Sequence, residues 1–184
     1  MRDLPGFKSV YALIADRAFE LKAKRTPKTR EQLREIVRRR ANIRPLDVLI
    51  QTSRTSQTSQ TFQTSFNWWY LKGPYGVKVE NKAAILSTLA RSYVGEQAEA
   101  VLRKAAAEVA ANGGTPVVLR AKGWDCIAAA HAYAAEPQLF SGIEFTERPP
   151  SWTEMIATPD TKDDSFAIGV WGALVDYDWV DLVE

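Results

Sequence analysis

EQAEAVLRKAAAEVAANGGTPVVLRAKGWDCIAAAHAYAA, residues 96–135, changes composition three times and so sets an order of elements. Glu96 to Ala111 is built from alanine and other residues that lose little freedom in a helix. Asn112-Gly113-Gly114 stops that helix, because asparagine and glycine accept the left-handed backbone that closes one. Thr115 to Arg120 then carries Pro116, Val117, Val118 and Leu119, a short apolar run of the length of a buried strand. Trp124 to Ala135 returns to alanine and reads as a second helix. Helix, strand and helix in succession predict an α+β fold.

Outward from this stretch the elements shorten. Lys82 to Ala111 is predicted as two helices parted near Val94-Gly95, preceded by a turn at Gly73-Pro74-Tyr75-Gly76 and a short strand through Val77 and Val79. On the other side, Gly142 to Phe145 and Phe166 to Val175 are predicted strands, separated by a proline-rich and acidic loop from Arg148 to Asp164. Asp176 and Asp178 alternate with Tyr177 and Trp179 and are expected on the exposed face of a strand. At the other end, Val10, Leu13, Ile14, Ala18 and Leu21 recur at helical spacing over Ser9 to Ala23, and Thr26-Pro27 breaks the helix after the basic Lys22 to Arg25 cluster. Thr29 with Gln32 has the form of a capping box opening a second helix on Leu33, Ile36 and Val37, which closes around Asn42. Leu46, Val48 and Ile50 alternate after Pro45 and predict a short strand. The expected organisation is a basic helical hairpin over 1–45, an exposed Thr/Ser/Gln segment over 46–72, and a mixed helix and short-strand domain over 73–184 that forms one unit with the N-terminal helices.

Composition narrows the chemistry. Hydrophobic residues at 46% and charged residues at 25% of 184 are the usage of a globular protein with one core, and no apolar stretch has the length to cross a bilayer. The opening residues do not form a signal peptide, so a cytoplasmic location is expected. One cysteine, Cys126, and one histidine, His131, allow no internal disulfide and supply too few ligands for a zinc site. Five residues apart on a predicted helix, they do not share a face, and a buried thiol and a hydrogen-bonded core histidine are the preferred assignments. Phosphate-loop and dinucleotide fingerprints are missing, and Asp160, Asp163 and Asp164 are expected to be solvated rather than metal-bound. Neither a catalytic set, a metal nor a cofactor is expected. A nucleic-acid-modifying or nucleotide-transferring enzyme would have to rely on carboxylates, which no motif signals.

Charge is polarised along the chain: 15 basic residues stand against 6 acidic ones through Lys72, and 2 against 10 from Phe140 onward. Either the acidic tail packs near the basic head, which is preferred, or the head meets an acidic partner. Arg30, Arg34 and Arg38 lie four apart and share one side of the second helix. Two short helices about a tight turn describe a helix-turn-helix DNA reader as well as a hairpin with a solvated arginine face, and the hairpin is preferred.

From Gln51 to Ser65 one triplet recurs five times, Gln-Thr-Ser, Arg-Thr-Ser, Gln-Thr-Ser, Gln-Thr-Phe, Gln-Thr-Ser, and runs into Phe66-Asn67-Trp68-Trp69-Tyr70. Small hydroxyl and amide side chains have too little apolar surface to offset the entropy of ordering, so exposure is expected, with the aromatic end as an anchor. Phe66, Trp68 and Tyr70 also alternate as on a strand, so a core role competes with a partner-binding one. Gln63, with Phe66 three positions on and Trp68 two beyond, is similar to the peptide by which polymerases and repair proteins dock on the bacterial replication clamp. Its amide suits the edge of a cleft, and two apolar plugs supply most of the binding energy.

A small protein with such a peptide and without a catalytic set resembles the SocB-like replication-blocking toxins of bacterial toxin–antitoxin pairs. The resemblance rests on Gln51 to Trp68. It implies that the chain occupies the hydrophobic cleft of the DNA polymerase III β sliding clamp, excludes polymerase and repair proteins, and inhibits DNA replication elongation. It implies further partners: an antitoxin acting as proteolytic adaptor, and the ClpXP protease to which it delivers the toxin. Gln63 would be the polar contact and Phe66 and Trp68 the two plugs, a bulkier pair than the usual leucine or methionine followed by phenylalanine or leucine. Two other frames rank lower: Gln57 to Phe62 places polar Gln60 in the middle, and Glu136-Pro137-Gln138-Leu139-Phe140 has an anion where the amide belongs. The alternative from a different class is a DNA-binding regulatory protein using Arg30, Arg34 and Arg38.

Overall fold

A computed structural model describes residues 10–55, 92–158 and 168–183. In chain order they form α1 (Val10–Lys24), α2 (Arg30–Ala41), α3 (Leu46–Thr55), α4 (Tyr93–Ala111), β1 (Val117–Lys122), α5 (Asp125–Ala135), β2 (Phe140–Thr146), α6 (Trp152–Ala157) and α7 (Ala173–Asp176). Short 3-10 turns follow at Pro137–Leu139 and Trp179–Leu182. The class is α+β and mostly helical. The turn at Gly73 to Gly76, the strand through Val77 and Val79, the first helix of the 82–111 pair and Asp160 to Asp164 lie outside the described residues.

β1 and β2 run parallel, with Val118 opposite Gly142 and Lys122 opposite Thr146. A parallel pair requires a crossover, and α5 supplies it. Its sequence is apolar on every side, the pattern of a fully enclosed helix. Cys126 through Ala132 are all buried, and the alanines let α4, α2, β1 and the final 3-10 turn approach closely. α1 docks on α6 and α7, and α2 on α5 and α4, so both N-terminal helices are held by the later part of the chain. The basic head and the acidic tail meet: Arg25 pairs with Asp181, and Arg40 with Asp176 at 2.7 Å.

The signals of α2 work as predicted. Gln32 donates its backbone N–H to Thr29 Oγ1 at 3.2 Å while Thr29 N donates to Gln32 Oε1 at 2.9 Å, and Asn42 closes the helix at φ 54°, ψ 47°. Four expectations are corrected. Leu46, Val48 and Ile50 stand on a helix: Leu49 is fully buried while Val48 and Ile50 face outward, so the spacing that seats Leu46 and Leu49 overrides the alternation. The second of the paired helices begins at Tyr93 rather than Glu96, because Ser92 Oγ caps it by accepting from Gly95 N at 3.2 Å. The strand predicted over Phe166 to Val175 is not formed where described; Gly172 at φ 69° turns the backbone left-handed into α7. Asp176 and Asp178 lie on no strand face. Asp178 is fully buried and accepts from Trp152 N at 2.9 Å, Thr153 N at 2.9 Å, Thr153 Oγ1 at 2.7 Å and Trp179 N at 2.8 Å, which ties the tail to the start of α6.

Candidate functional site

Gln63, Phe66 and Trp68 lie outside the described residues. What is described is the frame on either side: α3 runs to Thr55, α4 starts at Tyr93, and the two pack together through a core that includes Leu49, Val94 and Ala98. The peptide positions are therefore bracketed by two helices in contact. In the lower-ranked frame at Glu136 the three positions that would fill a partner's cleft are buried, with Glu136 2%, Leu139 7% and Phe140 7% exposed, while Pro137 and Gln138 are exposed.

The arginine face divides. Arg30 is exposed, whereas Arg34 and Arg38 converge on the carboxylate of Glu136 at the end of α5. Arg34 Nη2 donates to Glu136 Oε2 at 2.8 Å and Arg34 Nε to Ala135 O at 2.8 Å; Arg38 Nη2 and Gln138 Nε2 also donate to Glu136. A second buried carboxylate, Glu99, takes Arg44 side-on through Nε and Nη2, at 3.0 and 2.6 Å for the nearest contacts. These pairings join residues about 50 to 100 positions apart, and no local spacing announces them.

The two residue types most often catalytic have structural work. Burial pushes the Cys126 thiol up to about 11, which leaves it protonated and a poor nucleophile at neutral pH. His131 is fully buried; Nδ1–H donates to Ile127 O at 2.7 Å, so Nε2 accepts from the Tyr177 hydroxyl at 3.2 Å. Burial lowers its pKa to about 4. The unfolded ring titrates near ~6.5, so the unfolded chain takes up the proton first and stability is lost as pH falls from there towards 4. We predict that the stability gap between the wild-type protein and His131→Gln narrows by about 3 kcal/mol between pH 7.5 and 4, since the glutamine does not titrate. Urea unfolding at both pH values measures it, and a gap independent of pH would refute the assignment. Asp125, raised to about 6 by its own burial, acts in the opposite sense on both proteins and cancels in the difference.

An open cleft of about 660 Å³ lies where α1 ends, α2 begins and the last residues pack beside α5. Lys22, Arg25, Lys28 and Arg30 bring four cations to it, Asp176 and Asp181 two carboxylates, and Leu33, Tyr133, Pro137 and Leu182 part of an apolar wall. The sequence marked the Lys22 to Arg25 cluster only as a helix end, because its partners come from the far terminus. Among the described residues no group of three or more His, Cys, Asp or Glu side chains is placed to hold a metal, and no helix is long and apolar enough to cross a membrane. The chain matches no protein-family model, no curated protein and no solved structure.

Proposed function

We propose that the chain is a protein-binding inhibitor that occupies the peptide cleft of the DNA polymerase III β sliding clamp through Gln63, Phe66 and Trp68, and so blocks replication elongation as the toxin of a toxin–antitoxin pair. The observation that carries this is the juxtaposition of a five-fold polar triplet with a glutamine-and-aromatic peptide. The surrounding fold is compatible with it in two respects. α3 and α4, which flank the segment in sequence, pack against each other and leave the peptide positions outside the described core. Arg34 and Arg38, two of the three arginines of the rival DNA reading, already hold Glu136, which leaves them fewer donors for phosphates. An antitoxin acting as adaptor to ClpXP belongs to the same proposal, as does action in the cytoplasm.

Purified clamp and full-length protein should form a complex that Gln63→Ala weakens and Phe66→Ala with Trp68→Ala abolishes, with circular dichroism unchanged. Truncating each aromatic plug costs about 2 kcal/mol or more at a hot spot, so the double variant should lose at least about a thousandfold in affinity. Loss of helix content would instead assign Phe66 and Trp68 to the core. For DNA, the exposed Arg30 and Arg39 are the residues to reverse; strong DNA binding that falls steeply with salt and with Arg30→Glu, Arg39→Glu would favour the regulator.

A further inference from the structure

We propose that the cleft between the α1–α2 junction and the C-terminal residues binds a small oxyanion, a phosphate or carboxylate, that carries an apolar or aromatic group, and that Arg25 is its anchor. The site is independent of the clamp peptide. Arg25 has a side chain only 9% exposed, and among the described residues the one partner of that side chain is Asp181, held through Nη1. Its Nε and Nη2 are buried and have no hydrogen-bond acceptor among the described residues. Buried donors left unsatisfied are rare in native proteins, and each costs about 1–3 kcal/mol.

The identity of those two atoms gives the inference its chemistry. Nε and Nη2 form the side-on edge of a guanidinium, the edge that matches two oxygens of one oxyanion. In this same fold Arg44 uses that edge on the Glu99 carboxylate, and Arg34 uses it on Ala135 O and Glu136. Arg25 alone of the three keeps it for a group from outside, while Asp181 on Nη1 holds the guanidinium plane in position. Both nitrogens are closed to solvent, so binding includes rotation of side chains on the cleft wall.

The electrostatics agree. Both cleft carboxylates are already ion-paired, Asp181 with Arg25 and Asp176 with Arg40. Lys28 Nζ donates to a neutral acceptor, Asp176 O, at 2.8 Å, and Arg30 has no ion pair among the described residues. Among the described lining residues four cations stand against two carboxylates, and such a surplus of positive charge attracts anions. The cleft's volume lies in the range of small-molecule sites, and Leu33, Tyr133, Pro137 and Leu182 provide the apolar wall that an aromatic or aliphatic group would cover. Concavity and a buried anchor favour a small ligand over a polynucleotide, whose phosphates track an open groove.

Calorimetric titration of the full chain with phenyl phosphate, inorganic phosphate, benzoate and a twelve-nucleotide single strand tests this. Phenyl phosphate or benzoate should bind more tightly than inorganic phosphate, and whichever of the two binds better names the oxyanion. Arg25→Met should weaken that binding by about tenfold or more, the worth of a lost charged hydrogen-bonding edge. Should Arg25→Met unfold, the exposed rim pair Lys22→Gln, Arg30→Gln decides, with an expected loss of about threefold. Absence of binding by all three small probes, affinity unchanged in the folded variants, or displacement of phenyl phosphate by the oligonucleotide would each overturn the proposal.

Discussion

Glu136→Ala should cost about 3–5 kcal/mol of folding stability, the range for breaking a buried ion pair by removing one partner. Glu136 has a side chain 2% exposed and accepts from Arg34, Arg38 and Gln138. Without it, two guanidinium groups are left facing each other at the end of α5. The opposing effect is escape: Arg34 and Arg38 are 35% and 29% exposed, so they can turn partly to water, which places the expected loss near the lower end of the range. For a chain of this length that corresponds to a fall in Tm of roughly 6–20 °C. The exposed pair Arg120–Glu144, 74% and 57% exposed, is the control, and its removal should leave the melting curve close to wild type. A loss below about 1 kcal/mol in Glu136→Ala would mean that the arginines find equivalent solvation and that the pair specifies geometry rather than stability. The result bears on function as well. Reversing Arg34 and Arg38 would place three carboxylates together, so failure of DNA binding in that variant would report unfolding rather than a lost phosphate contact.

What was legible in the sequence was local. The stop at Asn112-Gly113-Gly114, the capping box of Thr29 with Gln32 and the alanine run of α5 each act within a few residues, and the structure forms all three elements. Alternation misled wherever a tertiary contact chose another period: Leu46, Val48 and Ile50 read as a strand until Leu49 entered the core, and Asp176 and Asp178 read as a solvated strand face until Arg40 and the start of α6 claimed them. Arginine spacing located one face of α2 but not its counter-ion, since Glu136 is about a hundred residues away. The cleft was illegible for the same reason: Arg25 and Asp181 come from opposite ends of the chain, and only folding makes them neighbours. Charge polarity hinted at the meeting of head and tail without naming a pair.

Gly95→Ala should be the most disruptive of the Gly→Ala changes at the described glycines, with a net loss of about 3 kcal/mol. A Cβ on Gly95 would stand 1.8 Å from Ala41 O and 2.9 Å from Ala41 C. Both obstacles are backbone, so no side-chain rotation relieves them. Ala41 is the last residue of α2, fully buried, and Asn42 fixes the end of that helix in a left-handed turn. Ordinary contact begins near 3.4 Å, so α2 would have to withdraw from α4 and open the packing of Val37, Val94 and Ala98. Alanine's better helix propensity returns only about 1 kcal/mol, too little to reverse the sign. Gly142→Ala is the matched control, since a Cβ there meets nothing within 4 Å, and it should be neutral or slightly stabilising. Chemical denaturation of both variants gives the comparison, and Gly95→Ala within 1 kcal/mol of wild type would show that α2 and α4 slide apart at little cost.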